Sequence, residues 1–358
     1  MVDAVSFSVF ADLHYKKGMY ASSITDINTI FDRADREGSS FVLQLGDMCN
    51  DYIRSRELVE AYLNNEQGLD VFGVYGNHEL ESAGNTMGFV TPLLTNRADT
   101  VVWGTDSGKI EDGSIAYYYF DIRDFRVVCL DSNYSLNPIT NEYEHNPSAS
   151  WGEPEGNLYP NSLGQQQMQW LRRILLESAN EGKHCIIAAH ASFSGLWQKC
   201  NDAEGIRKIY AEANSINPKT VVLSLNGHLH SNNSAVVDHV VYLDINTVRS
   251  GWWKSIPFYP YKEVDIKQPK YTFEFTDYDQ GGKPSVAFER PLSSLTMGAQ
   301  TLFFKDPLSA LITVGSDGSV TVKGSKTEWM YDIKPDSDNQ KSLLSISDFE
   351  YNITKKAP

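Results

Sequence analysis

The chain has 358 residues, a hydrophobic content of 41% and a net charge of −15 at pH 7. This length predicts one large domain with an appended piece, because single hydrophobic cores stop growing at about 250–300 residues. The acidic balance argues against a broad nucleic-acid surface, which needs a basic patch. It does not exclude a small anionic substrate.

The sequence shows neither a membrane span nor an export signal. It has no run of about 18 apolar residues, so no transmembrane helix is predicted. The first residues lack a charged segment followed by an apolar one, so no signal peptide is visible. The four cysteines are too few and too scattered for a disulfide framework. We expect a soluble protein, cytoplasmic or exported if a signal peptide was removed, and leave its oligomeric state open.

Strand-like and helix-like runs alternate from the start of the chain. The first strand alternates apolar Val5, Phe7 and Val9 with serines and ends at Asp12. Further strands are predicted at 41–45 and 70–75, and helices at roughly 22–37 and 54–65. Repeated strand–helix–strand units predict an α/β fold with right-handed crossovers.

The middle of the chain adds a hairpin and a second strand–helix series. We predict strands at 115–122, 125–131, 185–190, 221–227 and 240–246, and helices at 163–180 and 202–214. Residues 132–161 are rich in Asn, Pro, Ser, Tyr and Glu and are expected to form a long irregular excursion. A structureless stretch of this length inside a compact domain is usually functional.

The composition changes after residue 250. Residues 251–269 are rich in tryptophan, tyrosine and proline, and prolines at that density exclude a regular helix. Strand signals return at 271–275, 301–304, 311–314 and 319–322. We therefore divide the chain into an enzyme-like domain, 1–250, and a β-rich C-terminal extension, 251–358, packed on it.

Five short polar clusters stand where predicted strands end. In chain order they are Asp12-Leu13-His14, Gly46-Asp47, Gly76-Asn77-His78-Glu79, His190, and Gly227-His228-Leu229-His230. In α/β sheets the carboxyl ends of the strands converge on one edge, where ligands bind. Imidazole and carboxylate groups hold divalent metals, and two such metals form a recurrent device for cleaving phosphate esters. The positive charge of two bound metal ions would also outweigh the chain's negative charge in the neighbourhood of the clusters.

This order of clusters resembles the calcineurin-like metallophosphoesterase superfamily over about residues 5–246. Within it, the pattern is most similar to the class III cyclic-nucleotide phosphodiesterase and glycerophosphodiesterase branch. The resemblance implies an αββα sandwich with two adjoining metal sites. One metal would take Asp12, His14, Asp47 and His230, and the other Asp47, Asn77, His190 and His228, so that Asp47 bridges.

The resemblance also implies the chemistry. The nucleophile would be a metal-bridging hydroxide, and His78 would contact the phosphoryl oxygen or protonate the leaving alkoxide. Mixed nitrogen and oxygen ligands without thiolate suit two divalent ions among Mn, Fe, Zn and Co. We therefore expect a phosphoesterase that hydrolyses small phosphodiesters or phosphomonoesters. A non-catalytic metal-binding member of the fold and a nuclease stay open as alternatives, and nucleic acid is disfavoured by the acidic balance.

Two departures separate this chain from other branches. Serine/threonine protein phosphatases carry an arginine soon after the second cluster, and here the sequence after Asp47 lacks it. Purple acid phosphatases place an iron-binding tyrosine three residues after that aspartate, where this chain has Asn50. Both departures favour the phosphodiesterase branch.

The sequence indicates the substrate-binding residues less clearly than the metal ligands. Trp252 or Trp253 could stack on a nucleobase or pack the extension onto the core. Arg54 and Arg249 are the basic residues nearest the clusters, and their scarcity favours a diester or a small organophosphate over a polyphosphate. We interpret Glu79 as a helix cap in preference to a support for His78.

Overall fold

The structure is a computed structural model of the chain. It describes residues 3–15, 24–49, 55–81, 94–105, 107, 115–137, 140–145, 159–196, 200–252, 271–277, 283–290, 301–328 and 344–352, and the elements named below lie within these ranges. The helices are α1 (Ile24–Arg36), α2 (Arg56–Leu63), α3 (His78–Glu81), α4 (Gly164–Glu181) and α5 (Ala203–Ile216).

Two large sheets organise the strands. The strands from the N-terminal half are β1 (Ala4–Phe10), β2 (Val42–Gln44), β3 (Val71–Gly73), β4 (Val102–Trp103), β5 (Tyr118–Ile122), β6 (Phe125–Cys129), β7 (Tyr134–Asn137), β8 (Glu142–His145) and β9 (Tyr159–Ser162). The later strands are β10 (His184–Ala188), β11 (Val221–Asn226), β12 (Asn233–Val237), β13 (Val240–Asp244), β14 (Ser250–Trp252), β15 (Tyr271–Asp277), β16 (Lys283–Arg290), β17 (Thr301–Phe303), β18 (Ala310–Gly315), β19 (Val320–Gly324) and β20 (Phe349–Tyr351). The first sheet has the order β20-β19-β18-β1-β2-β3, and the second β12-β13-β11-β10-β6-β5-β4.

The two large sheets pack face to face. Phe72 of β3 stacks on Phe120 of β5 with ring centroids 3.6 Å apart, and Phe41 meets the same Phe120 ring edge-on at 5.3 Å. Aromatic rings bury large apolar areas, so contacts of this kind hold the sheets together. The core between the sheets is therefore continuous across both layers.

Helices cover the outer faces of both sheets. On the first sheet, Phe31 of α1 contacts Tyr62 of α2, which in turn packs edge-on against Phe10 of β1. On the second sheet, a separate cluster joins Trp170 of α4 and Tyr210 of α5 to the outward-facing side chains of the strands. These four layers confirm the predicted αββα sandwich.

Three C-terminal strands, β18, β19 and β20, belong to the first sheet. β18 pairs antiparallel with β1, with Phe7 opposite Ile312, and β19 and β20 continue the sheet beyond it. The predicted strand-rich C-terminal region is thus confirmed, and part of it flanks the strand that leads to Asp12. The division at residue 250 stays a prediction.

Most predicted elements are present with small shifts at their ends, but the excursion over 132–161 is not wholly irregular. Its described residues form a three-stranded sheet in the order β8-β7-β9. The local composition did not indicate these strands, because Asn and Pro are depleted in strands generally. Residues Asn50, Arg54 and Trp253 lie outside the described residues.

Arg249 is engaged in a buried ion pair. Its Nη2 lies 2.8 Å from Oδ1 of Asp26, a residue that is only 2% exposed, and its Nη1 donates to the carbonyl oxygens of Phe304 and Lys305. The side chain therefore joins α1 to the chain around β14 and β17. These contacts occupy the guanidinium that the sequence suggested for a terminal phosphate.

Replacing Arg249 by alanine is expected to lower the free energy of unfolding by about 3 kcal/mol, because it removes the guanidinium that pairs with the buried Asp26 carboxylate. Urea unfolding measures this loss, and steady-state kinetics below the transition should show an unchanged KM. Arg56→Ala is the matched control, since Arg56 forms only an exposed pair with Glu60. A raised KM in a variant of unchanged stability would instead assign Arg249 to substrate binding.

Candidate metal centre

All five predicted clusters lie at the carboxyl ends of strands. β1, β2 and β3 run parallel in the first sheet, and β6, β10, β11 and β13 run parallel in the second. Because the two sheets are stacked, the loops from both sheets meet at one end of the sandwich. The side chains that these loops carry therefore face one another.

The backbone at the clusters adopts an unusual conformation. Five of the predicted ligands have positive φ: Asp12 (54°), His14 (50°), Asp47 (52°), His228 (69°) and His230 (48°). Residues with a Cβ rarely adopt this region, and it costs about 1–2 kcal/mol per residue. Such strain is typical of functional sites.

Glycines allow the loops to approach closely. A Cβ on Gly227 would lie 2.6 Å from Oδ2 of Asp12, and a Cβ on Gly46 or Gly76 would overlap the side chain of His190 or Asp47 respectively. Only glycine leaves space for these side chains. The glycines before the ligands are therefore required by packing at the centre.

The first group of candidate ligands consists of Asp12, His14 and His230. The Nε2 atoms of the two histidines face each other at 2.8 Å, and Nε2 of His230 lies 3.3 Å from Oδ1 of Asp12. All three side chains are at most 5% exposed. One ligand atom from each lies within 4.8 Å of the others, which suits a shared cation.

The second group consists of Asp47, His190 and His228. Nε2 of His190 lies 3.2 Å from Oδ2 of Asp47 and 3.1 Å from Nδ1 of His228. The same Asp47 oxygen lies 3.7 Å from Nε2 of His14, in the first group. Asp47 therefore stands between the two groups, as a bridging ligand would.

The tautomer of His190 suits metal binding. Its Nδ1 donates a hydrogen bond to the carbonyl oxygen of Leu45 at 2.7 Å, so that Nε2 is the ring nitrogen that faces the Asp47 carboxylate. Two acceptors in contact need a cation or a proton between them. The donor set and its orientation thus fit a divalent metal ion, and the backbone carbonyl fixes the ring as in many metal sites.

Burial and mutual charge dominate the electrostatics of the centre. Burial raises the pKa of Asp12 to about 7 and lowers the pKa values of His14 and His228 to about 3. Burial opposes protonation of His190 too, but the charge of Asp47 and the hydrogen bond to it outweigh burial and raise the pKa of His190 to about 10. Ionisable groups packed this closely indicate a functional site.

His78 is positioned by the bridging carboxylate. Its backbone N–H donates to Oδ1 of Asp47 at 2.9 Å, and its Nε2 lies 3.9 Å from Oδ2 of the same residue. Its ring packs edge-on against His14, with the centroids 4.6 Å apart, and it is 9% exposed. A third possible group, with His14, Asp47 and His78, follows from these distances. Its catalytic role, like the ligand role of buried Asn77, stays a prediction.

Glu79 links two of the loops through their backbones. It is fully buried, and its Oε2 accepts hydrogen bonds from the backbone N–H groups of Gly76 at 2.6 Å and Asp47 at 2.9 Å. Its Oε1 accepts from the N–H of Cys49 at 3.2 Å. The bond to Gly76 joins Glu79 to the loop before α3, and the other two hold the β2 loop against the β3 loop. The helix cap and the support for His78 both stay predictions.

Replacing Glu79 by glutamine should weaken metal binding by about 10- to 100-fold, the range known for groups that orient ligands. The new amide would direct N–H groups at backbone N–H groups and loosen the Asp47 loop. Mn²⁺ titration of the metal-free protein measures this change. Glu60→Gln, on the exposed face of α2, is the control. Unchanged Mn²⁺ affinity would show that the β2 loop does not need Glu79.

A sixth polar cluster lies at a strand end and was not predicted from the sequence. Asp131, Ser132 and Asn133 follow β6 and are all buried. β6 pairs with β10, the strand that leads to His190. The Ser132 hydroxyl accepts the N–H of Ala191 at 3.0 Å, and the Asn133 side chain donates to the carbonyl of Tyr75 at 3.4 Å. The signal was available, because a polar run follows an apolar strand here as it does at the other five clusters.

These loops bring together groups of residues that could hold metal ions, and sequence comparison identifies the class of protein. A model of the calcineurin-like phosphoesterase family matches residues 5–232. The chain belongs to this family. It is a metal-dependent phosphoric ester hydrolase, and the superfamily that the five clusters indicated is confirmed. No helix among the described residues is long and apolar enough to cross a membrane.

The chain is also similar to two named proteins and to one solved structure. The chain is 24% identical over 265 residues to a mouse protein named manganese-dependent ADP-ribose/CDP-alcohol diphosphatase, covering 63% of this chain and 77% of that one. It is 30% identical over 187 residues to the zebrafish protein of the same name, covering 43% and 56%. A crystal structure of a zebrafish dimetal phosphatase shares the fold, with a TM-score of 0.54, 16% identity and coverage of 91% and 98%. The narrower resemblance to cyclic-nucleotide phosphodiesterases stays a prediction.

Proposed function

We propose that the chain hydrolyses small phosphate esters, among them diphosphate-linked nucleotide compounds, with two Mn²⁺ ions. The observation that supports this most is the sharing of Asp47 between two groups of buried histidines and carboxylates. The names of the mouse and zebrafish relatives support the choice of manganese and of a diphosphate substrate. They extend the diester and monoester expectation, because hydrolysis of a diphosphate link also breaks an O–P bond.

The chain's own residues have distinct tasks in this proposal. The metals, when bound, would lower the pKa of water and neutralise charge on the phosphoryl oxygens. Asp12, His14 and His230 hold one ion, and Asn77, His190 and His228 hold the other, with Asp47 shared. His78 stands at the edge of the centre, where its imidazole can donate a proton to the leaving oxygen. An O–P bond forms from water and the O–P bond to the leaving oxygen breaks. A diphosphate-linked substrate then gives two phosphomonoesters, and a simple phosphodiester gives one phosphomonoester and an alcohol.

The test compares four substrates with the purified protein in Mn²⁺ and in EDTA. Bis-p-nitrophenyl phosphate, ADP-ribose, CDP-choline and p-nitrophenyl phosphate represent a diester, two diphosphates and a monoester. We expect turnover in Mn²⁺, none in EDTA, and the highest kcat/KM for a diphosphate. Turnover of the two p-nitrophenyl substrates alone would remove the diphosphate proposal and keep the phosphoesterase.

The alternatives give different results in the same experiment. A protein that binds two Mn²⁺ ions yet turns over none of the four substrates with any metal would be a non-catalytic member of the fold. Cleavage of single-stranded DNA at a rate above that of the four substrates would indicate a nuclease. The charge of −15 disfavours this outcome, because phosphate-backbone binding needs cationic side chains.

A further inference from the structure

Asp244 stands between the two strands that carry the ends of the histidine loop. The loop 227–232 holds His228 and His230 and connects β11 to β12, while β13 lies between those strands in the sheet. Asn226, the last residue of β11, is opposite Asp244 in the parallel register. Asn233, the first residue of β12, is opposite the same Asp244 in the antiparallel register.

The carboxylate of Asp244 bonds to both asparagines. Its Oδ1 accepts a hydrogen bond from Nδ2 of Asn226, and its Oδ2 accepts one from Nδ2 of Asn233 at 3.0 Å. Asp244 is 1% exposed, and no lysine, arginine or histidine among the described residues lies within ion-pair distance of it. A buried carboxylate without a cation is costly, so its hydrogen bonds carry the compensation.

The histidine loop needs such support. Both His228 and His230 are in the left-handed backbone region, with φ of 69° and 48°. A loop with two strained residues relaxes unless the surrounding structure fixes its ends. The Asn233 side chain also donates to the Ser231 hydroxyl at 2.8 Å, which extends the support into the loop itself.

We propose that Asp244 is a positioning residue that fixes both ends of the histidine loop and thereby sets the affinity of both metal sites. The loop contributes one ligand to each group, His230 to the first and His228 to the second. Loosening the loop therefore weakens both sites together, whereas loss of a single ligand weakens one. This inference rests on the proposed binuclear centre.

The test measures Mn²⁺ binding to the metal-free protein by calorimetric titration and by Mn²⁺ electron paramagnetic resonance. Asp244→Ala is expected to weaken both sites by about tenfold or more, the lower end of the range for groups that orient ligands. Asn233→Ala removes one of the two bonds and should weaken both sites less. Asn233→Ala also tests the proposal if Asp244→Ala fails to fold, since Asn233 is only partly buried and its loss should be tolerated better.

Two further variants distinguish a loss of loop positioning from a loss of overall protein stability. The double variant Asp244→Asn with Asn226→Asp exchanges donor and acceptor between the facing strands, and it should recover most of the affinity lost in Asp244→Asn alone. Asp121→Asn is the matched control in the same sheet, where the carboxylate binds Arg126 at 2.8 Å, far from the loop in sequence. It should lower the melting temperature and leave both Mn²⁺ affinities unchanged.

The outcomes distinguish this inference from the function beneath it. Wild-type protein that binds fewer than two Mn²⁺ ions would overturn the binuclear centre itself. Wild type with two ions, together with Asp244→Ala and Asn233→Ala of wild-type affinity at both sites, would overturn only the role of Asp244. Weakening of one site alone would likewise contradict it, because a loop held at both ends moves both histidines.

Discussion

Asp47→Asn is expected to release both metal ions and to abolish most turnover. Oδ2 of Asp47 lies 3.2 Å from Nε2 of His190 and 3.7 Å from Nε2 of His14, so one oxygen serves both groups. Metal ions stabilise transition-state charge by several kcal/mol, and a loss of about 4 kcal/mol lowers the rate by roughly three orders of magnitude. Mn²⁺ titration and kcat/KM on the best substrate measure the two effects.

His190→Ala provides the comparison for Asp47. It removes a ligand of the second group alone, so we expect it to weaken one metal site, keep the other and still abolish most turnover. Asn77→Ala should behave in the same way. If Asp47→Asn retained one ion at wild-type affinity, the carboxylate would serve a single site and the bridge would be wrong.

His78→Ala is expected to keep both metal ions and to lower turnover. A positioned general acid contributes about 10²- to 10⁴-fold, and the effect depends on how much the leaving oxygen needs a proton. The loss should therefore be large for an alkyl or diphosphate substrate and small for bis-p-nitrophenyl phosphate, whose leaving group departs without protonation. The ratio of the two losses is the quantity to measure.

His239→Ala is the control for this experiment, because His239 is exposed and outside every candidate ligand group. It should leave both turnover numbers unchanged. An equal loss on both substrates, with both metals bound, would assign His78 to contact with the phosphoryl oxygen. Loss of a metal ion would assign it as a ligand, which its place beside His14 and Asp47 also permits.

The sequence predicted that the five clusters lie together because the relevant signal is local. Four clusters follow an apolar run that ends at a glycine or a carboxylate, the fifth run ends at His190, and α/β topology brings such ends together. The helices were equally accessible, since α1 buries Ile27, Ile30 and Phe31 on the single face that its periodicity marks. Period and strand ends were sufficient for the alternating α/β elements and for the position of the five clusters, whereas the sandwich was implied by the family resemblance.

The sequence could not predict the contacts that span the chain. The neighbour of β1 is β18, and Ser8 is thereby paired with Leu311. No periodicity reports such a pairing, because strand register depends on partners and not on either strand alone. The bonds from Glu79 to the β2 loop and from Asp244 to two other strands are long-range for the same reason. These contacts fix the ligands, whereas the motifs only supply them.

Anomalous diffraction from crystals grown with Mn²⁺ tests the binuclear centre most directly. We expect two peaks about 3.5–4 Å apart, the spacing of two-metal phosphoesterase sites. One should lie against Asp12, His14 and His230, the other against His190 and His228, with the Asp47 carboxylate between them. A single peak, or a second peak away from Asp47, would contradict a bridged pair.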